Sequence, residues 1–140
     1  MIENLSSYFS PKQEIYLNNI SYNIIKKNEL AEEYNLTNID NAHVDVYEDG
    51  INLTIERVLE FEPEGLFRLS VSFGANLQFV QEKKSEIDWE KINLAQEFIE
   101  NGDFITVNLF SRISLLISQI TSAYGQPPII TPPMIKKAKK

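Results

Sequence analysis

The hydrophobic and polar positions of this chain change their period once along its length. From residue 15 to residue 79 they largely alternate, with Ile51, Leu53 and Ile55 on one side of the pattern and Asn52 on the other. A period of two is typical of β-strands that bury one face. After this region the apolar positions recur at helical spacing. Strands followed by helices predict an α+β fold, built on an antiparallel sheet with one exposed face.

Four strands are expected, near residues 15–24, 43–47, 51–62 and 67–79. Between the second and the third, Asp49-Gly50 predicts a hairpin, because its turn favours a positive φ that glycine adopts at low cost. Pro63-Glu64-Gly65 predicts the next turn. Gly74, within the last strand, indicates a bulge or a close backbone approach. On the apolar face of the third strand, Arg57 is the one charged residue that interrupts the pattern.

The first strand and its surroundings are less regular. One face of this strand is predicted to carry Tyr16, Ile20, Tyr22 and Ile24. We interpret the polar segment 26–42 as a long crossover, and residues 1–12 as a flexible lead-in that ends at Pro11.

Two helices are expected after the strands. We predict Asp88 as the N-cap of the first helix and Gly102 as the residue that follows its end. Asn108 is predicted to cap the second, longer helix. Two adjacent apolar stripes follow this longer helix, one at residues 110, 113, 117, 120 and 124 and the other at residues 109, 116 and 123. A helix that is this apolar must be covered by more than one surface.

Composition excludes several classes of site and partner. The chain has 140 residues, no cysteine and a formal charge of -7. One domain, spanning residues 1–140, is expected. The lack of cysteine excludes disulfides and thiol catalysis, and it suits the cytoplasm, where we expect the protein. The negative charge argues against nucleic acid and anionic lipid as partners. Residues 134–140 form a basic tail, which we interpret as solubilising or as a partner contact.

The pattern predicts neither membrane insertion nor a secretion signal. The longest apolar-rich run, residues 113–120, is interrupted by polar residues. A helix that spans a membrane needs about 20 apolar residues, and this run is much shorter. Residues 1–13 contain no basic region followed by an apolar run, so they do not match a signal peptide.

Candidate catalytic chemistry is sparse. His43 and Asp45 would share a face of one strand, but two ligands do not complete a metal site. Several carboxylates fall on the exposed side of the third strand, where no apolar setting would hold one protonated as a general acid. Without a nucleophile motif or a phosphate loop, we predict neither an enzyme nor a bound cofactor. Trp89 has two interpretations, core packing and the lining of a binding groove.

Three segments, in their order and spacing, resemble the SecB export-chaperone family. Residues 15–22, IYLNNISY, are similar to the opening strand of that family, and residues 67–74, FRLSVSFG, are similar to its fourth strand. Residues 109–133 resemble its C-terminal helix and proline-rich exit: Leu109-Phe110 open the helix, and a Gly-x-Pro sequence and a Pro-Pro pair follow it. The resemblance therefore covers most of the chain.

This resemblance implies a four-stranded antiparallel sheet followed by two helices, the second of them long. It also implies a homo-oligomer, a dimer or a dimer of dimers, in which long helices of different subunits lie between sheets. The oligomer contacts are then expected at Leu109, Ile113, Leu116, Ile117 and Ile120. The implied function is that of an ATP-independent holdase, which binds unfolded or non-native polypeptides in apolar grooves. The client contacts are then expected at Tyr34, Leu36, Ile39, Trp89, Ile129 and Ile130.

Two departures from the family separate the fold from a role in protein transport. Members of the family dock the translocase ATPase SecA through carboxylates on the exposed face of the first strand, where this chain has Asn19 and Asn23. The acidic tail of the family is also absent. Amides cannot provide charge-assisted contacts, so SecA docking is doubtful. Two alternatives therefore stand beside the general holdase: a protein dedicated to one partner, such as an antitoxin, and an oligomeric protein without general chaperone activity.

Overall fold

A computed structural model describes residues 2–26, 30–123 and 127–134, and its centre is a four-stranded antiparallel sheet. The strands are β1 (Phe9–Ile25), β2 (Asn35–Val46), β3 (Gly50–Glu62) and β4 (Leu66–Phe79), in the order β1-β4-β3-β2. Within the described residues three helices follow, α1 (Gln81–Lys84), α2 (Leu94–Asn101) and α3 (Asp103–Ser122). The predicted α+β class, with the strands first and the longest helix last, is confirmed.

The N-terminal segment packs on the core, so the flexible lead-in predicted for residues 1–12 is wrong. A short 3-10 helix, Leu5–Tyr8, leads directly into β1; its first residue is buried, as is Phe9. The backbone N–H of Ile2 donates to a carboxylate oxygen of Glu97 at 3.0 Å, and this bond is the main cause that lowers the pKa of that carboxyl. The stability that this contact contributes is fully present above the ordinary pKa of a glutamate. It is lost as the pH falls through the lowered pKa of Glu97.

β2 takes the place of much of the predicted crossover. The strand begins at Asn35 and pairs with β3 without interruption until Val46, which lies opposite Ile51. It is an edge strand with one exposed face, and most of the positions on this face are polar, which hid the strand in the sequence. The connection between β1 and β2 is therefore shorter than the segment 26–42, and residues 27–29 of it lie outside the described residues.

A bulge in β1 reverses the side on which Tyr16 lies. The register shifts between Leu17 and Asn19, which leaves one extra residue in β1. Tyr16 therefore lies on the opposite face from Ile20, contrary to the prediction that the two share a face. The ring of Tyr16 covers Gly74 of β4 so closely that a Cβ there would lie 2.4 Å from it. A close approach is therefore present at this glycine, but it is made by a side-chain ring rather than by another backbone as predicted.

The hairpin predicted at Asp49-Gly50 is confirmed, but the reason given for its glycine is wrong. Gly50 begins β3 and does not adopt a positive φ. A Cβ at this position would lie 2.0 Å from the carbonyl oxygen of Leu77 in β4. The glycine is therefore required by the close approach of two backbones rather than by the turn.

The helices begin at other residues than those predicted. Asn93 caps α2 in place of Asp88, since its side chain accepts a hydrogen bond from a backbone N–H of the first turn at 3.2 Å. Gly102 follows α2 as predicted, but α3 begins immediately afterwards, at Asp103. Asn108 consequently lies inside α3 and is not a cap.

The earlier start makes α3 20 residues long. By length and composition alone, a helix of this kind is long and apolar enough to cross a membrane, in contrast to the shorter run expected from the sequence. Its apolar side is nevertheless used within the fold, where the sheet covers fully buried residues at Ile105, Leu109, Ile113 and Ile117. This is the environment of a core helix.

The core lies between the helices and one face of the sheet, and an aromatic cluster closes it near α1. Trp89 is buried in this cluster, with ring centroids 5.0 Å from Phe79 and 5.7 Å from Phe9. The indole N–H donates to the carbonyl of Lys84 at 2.9 Å, so the polar end of the side chain is also satisfied inside the protein. Trp89 is therefore mainly a core residue, the first of its two interpretations, and it also lines a cleft beside α1.

Candidate functional site

An apolar row crosses all four strands at one end of the helix-bearing face of the sheet. Ile24 of β1 lies opposite Phe67 of β4, and Phe61 of β3 lies opposite Leu36 of β2. The rings of the two phenylalanines join these pairs, with centroids 5.1 Å apart. Ile24 is 80% exposed and Leu36 is 43% exposed, so both ends of the row are open to solvent. With strands about 4.8 Å apart the row is roughly 14 Å long, which matches about four residues of extended chain.

A cleft of about 620 Å³ adjoins the row at Leu36, between the sheet and the C-terminal segment 127–134. Side chains from both walls line it, namely Leu36, Thr37, Asn38, Leu59, Ile130, Thr131, Pro132 and Met134. The lining is mainly apolar with a few polar groups, as in most ligand sites of proteins.

The cleft contains a buried hydrogen-bond acceptor without a partner. The side-chain oxygen of Asn38, Oδ1, is shielded from solvent and accepts no hydrogen bond from the described part of the chain. An unpaired buried polar atom costs about 1–3 kcal/mol, so a folded protein rarely retains one without a reason. Once the wall of the cleft moves, a ligand that brings an N–H group, such as a peptide backbone, can reach this oxygen and satisfy it.

A buried cation lies beneath the wall of the cleft. Arg57 is fully buried, and its guanidinium pairs with both carboxylate oxygens of Asp40, at an Nε–Oδ1 distance of 2.7 Å and an Nη2–Oδ2 distance of 2.9 Å. It also lies over the ring of Phe110, with Cζ 4.9 Å from the ring centroid. A two-point ion pair of this kind compensates much of the cost of burying the charge. Arg57 thereby connects β2, β3 and α3.

The same guanidinium holds the C-terminal segment. Its Nη1 donates to Oγ1 of Thr131 at 2.9 Å and to the carbonyl oxygen of Pro132, while Nη2 donates to the carbonyl oxygen of Met134 at 2.9 Å. The hydroxyl of Ser114 in α3 donates to the carbonyl oxygen of Thr131 at 3.0 Å. Side chains of the sheet and of α3, rather than strand pairing, therefore keep this segment in place.

Some of the predicted client contacts come together at this site. Leu36 and Ile130 line the cleft from opposite walls, and Ile130 is 76% exposed. Tyr34 lies at the apolar row, where its ring packs edge-on against Phe61 with centroids 6.4 Å apart.

The other predicted client contacts lie elsewhere. Ile39 projects from the opposite face of β2, since it pairs with Val58 one residue out of phase with the apolar face. Trp89 is in the core, as described above. Ile129 is half-buried against the core, and its backbone N–H donates to Oγ1 of Thr121 at 2.8 Å.

Three of the predicted oligomer contacts belong to the core of the protomer. Leu109, Ile113 and Ile117 are fully buried beneath the chain's own sheet. Leu116 and Ile120 are only half-buried. The outer side of α3 exposes two other apolar residues, Val107 and Leu115. Any contact of α3 with a second subunit would therefore use this outer side.

The remaining polar candidates do not form a second site. His43 and Asp45 share the exposed face of β2, with 3.0 Å between His43 Nε2 and Asp45 Oδ1. The described part of the chain contains no group of three or more His, Cys, Asp or Glu side chains that could hold a metal ion. Another cleft, of about 710 Å³ at the opposite end of the sheet, is lined by charges of both signs, among them Lys84 and Asp88.

Comparison with solved structures identifies the architecture. The chain is similar to the Mycobacterium tuberculosis Rv1957 SecB-like chaperone, solved in complex with a ChAD peptide from the Rv1956 HigA1 antitoxin. The TM-score is 0.66, at 14% sequence identity over 91% of this chain and 92% of the other. The chain has the SecB-like fold.

Other comparisons add little to this assignment. A protein of unknown function from Streptococcus agalactiae is 18% identical and covers 86% of this chain and 95% of its own, but its TM-score of 0.32 is too low to support an argument. No protein-family model and no curated protein matches the sequence. The structure thus supports the SecB-like fold at a sequence identity that does not by itself transfer a function.

On this SecB-like fold, Asn19 and Asn23 are exposed on β1. They lie on the face opposite the helices, and Asn23 pairs across the strands with Arg68. The amide of Asn23 donates to the hydroxyl of Ser21 at 3.2 Å. Both positions therefore present amides where the resemblance led us to look for carboxylates, and Asn23 lies beside a cation.

Proposed function

We propose that this protein binds segments of non-native polypeptides without ATP, and that the apolar row and the adjoining cleft form its binding surface. One observation carries the proposal: an uncovered apolar surface on a SecB-like fold ends at an unpaired buried acceptor, Oδ1 of Asn38. Unfolded chains expose apolar side chains and unpaired backbone N–H groups, which complement this surface. Binding lowers the concentration of free unfolded chain by mass action and needs no energy source.

A single site of this size is expected to bind weakly, because the row accommodates only about four residues of extended chain. Several sites on one assembly raise the overall affinity, because binding at a second site becomes intramolecular. We therefore also propose a homo-oligomer, with Val107 and Leu115 on the outer side of α3 as the subunit contact. Their exposure in the protomer supports this choice.

Suppression of aggregation tests the proposed function. A chemically denatured model protein is diluted into buffer with stoichiometric amounts of this protein and no ATP, and light scattering is followed. We expect the scattering to fall for several unrelated clients. If no client is protected, the holdase proposal is wrong.

Leu36 and Ile39 allow a matched test of the location of the site. They lie on the same strand and are each 43% exposed, but they project from opposite faces. Leu36→Glu places a carboxylate in the apolar row, which is expected to weaken client binding by at least about tenfold, because contact with the client would desolvate the charge. Ile39→Glu is expected to change the affinity by less than about twofold, as for a surface site outside the contact.

Fluorescence anisotropy with a labelled unfolded client measures both affinities. Circular dichroism of each variant shows that the fold is retained. Equal losses of affinity in the two variants would place the site elsewhere on the molecule.

A protein dedicated to one partner is the second candidate. Asn19 and Asn23 favour it, because they replace carboxylates through which the resembling family reaches SecA. The structural neighbour is itself a chaperone solved with a peptide from an antitoxin. Titration of several unrelated unfolded proteins separates the two roles. Dissociation constants within about tenfold of one another indicate a general holdase, whereas a dedicated protein would bind none of them tightly.

A further inference from the structure

Residues 129–134, which we name the strap, are themselves a peptide bound at the cleft. The strap is held by polar contacts at the Ile129 backbone N–H, at the Thr131 hydroxyl and at the carbonyl oxygens of Thr131, Pro132 and Met134. Much of its apolar surface stays in water, since Ile130 and Met134 are exposed. Ile129 is half-buried against the core, so hydrogen bonds hold most of the strap, and its release requires that a client or water replaces them.

Most of the hydrogen bonds from Arg57 to the strap do not depend on the sequence of the strap, although one acceptor is the hydroxyl of Thr131. Two of their acceptors are main-chain carbonyl oxygens, those of Pro132 and Met134, and every polypeptide carries such groups. The ion pair with Asp40 uses the N–H of Nε and one N–H of Nη2. The guanidinium therefore stays paired with this carboxylate when the strap leaves. Departure of the strap therefore frees donors for other carbonyl groups without leaving an unpaired buried charge.

We propose that the strap is an internal substitute for a client, and that a client polypeptide displaces it and accepts the hydrogen bonds of Arg57. This inference rests on the proposed function and adds its regulation. The strap forms one wall of the cleft, so its release also widens the apolar surface. The apparent association constant for a client is then the intrinsic constant multiplied by the fraction of molecules in which the strap is open.

A disulfide that fixes the strap provides the test. Oγ of Ser114 and Oγ1 of Thr131 are 2.9 Å apart, so a double variant Ser114→Cys/Thr131→Cys brings two sulfurs within reach of a bond. The chain has no other cysteine. We expect the oxidised variant to bind a labelled unfolded client at least about tenfold more weakly than the same protein after reduction. The Thr131→Cys single variant under the same oxidant controls for the chemistry.

A second measurement needs no client. The backbone N–H of Ile129 bonds only to the side chain of Thr121, so its hydrogen exchange reports opening of the strap. In the wild type we expect it to exchange at least about a hundredfold faster than the core amides of β3 and β4, through local opening. Oxidation of the double variant should slow this exchange.

The outcomes separate the strap from the proposed function. Equal client affinity in the oxidised and reduced forms would overturn the strap proposal while leaving client binding intact. Exchange at Ile129 as slow as in the core would also overturn it, because the strap would open only on global unfolding. Loss of client binding in the wild type and in both forms alike would contradict the proposed function itself.

Discussion

Asn38, whose side-chain oxygen is buried, and Arg57, which is fully buried, both lie at the cleft, and they differ in how their hydrogen-bonding capacity is used. Arg57 has partners in Asp40 and in the C-terminal segment, whereas Oδ1 of Asn38 has none among the described residues. In the sequence Arg57 stood out only as a charge on an apolar face. Its partner was not recognised, because Asp40 fell in a segment interpreted as a crossover.

At the residue scale, Asn38→Leu is expected to separate stability from binding. The change removes an unpaired buried acceptor at nearly constant volume, so the free energy of unfolding in urea should rise by about 1 kcal/mol. Affinity for an unfolded client should fall, because the client N–H loses its acceptor. Asn41→Leu, on the exposed face of the same strand, is the control and should change neither quantity. A destabilised Asn38→Leu variant with unchanged affinity would show that the oxygen is already satisfied in the free protein.

At the scale of elements, close approaches between neighbours determine the geometry of the sheet. Gly50 admits the backbone of β4, and Gly74 admits the ring of Tyr16. The two contacts differ in stiffness, because a backbone carbonyl in a paired strand cannot move alone, whereas the end of a tyrosine side chain can rotate away. Neither contact can be predicted from the alternation within one strand, because each depends on the register of two strands.

Alanine at the two glycines tests this difference. Gly50→Ala is expected to lower the free energy of unfolding by about 1–3 kcal/mol, since the new Cβ meets the carbonyl of Leu77 and must displace backbone. Gly74→Ala should stay within about 1 kcal/mol of the wild type, because the ring of Tyr16 can move and alanine restricts the unfolded chain. Urea denaturation measures both. A larger loss in Gly74→Ala would mean that the ring is fixed in place.

At the scale of the whole molecule, the apolar character of α3 is divided between the core and the surface. The inner side is buried against the sheet of the same protomer, whereas Val107 and Leu115 on the outer side are exposed. The two stripes expected from the sequence therefore do not correspond to two separate surfaces of the helix. Leu109 joins the core, and Leu116 is half-buried.

Two charge substitutions on α3 are expected to have different consequences. Leu115, 60% exposed, can become Glu without loss of the fold, and we expect Leu115→Glu to weaken self-association by at least about tenfold. Ile113→Asp places an unpaired charge in the core and should cost about 3–5 kcal/mol of stability. Size-exclusion chromatography with light scattering gives the mass, and urea denaturation gives the stability. Ile39→Glu, on the face of the sheet opposite the helices, is the control, and a monomeric wild type at micromolar concentration would contradict the subunit contact.

The sequence by itself determined the class of fold, the order of strands and helices, and the apolar face of the sheet. These features depend on local periodicity, as in the alternation of Ile51, Leu53 and Ile55 or the helical spacing of α3. Only the tertiary structure decided which residues form the site. The bulge near Leu17, the pairing of β2 and the bonds from Arg57 to the strap join positions distant in the chain, and no local period encodes such contacts. Leu36 and Ile39 show the difference, since they are equally apolar in the sequence and lie on opposite faces of the sheet.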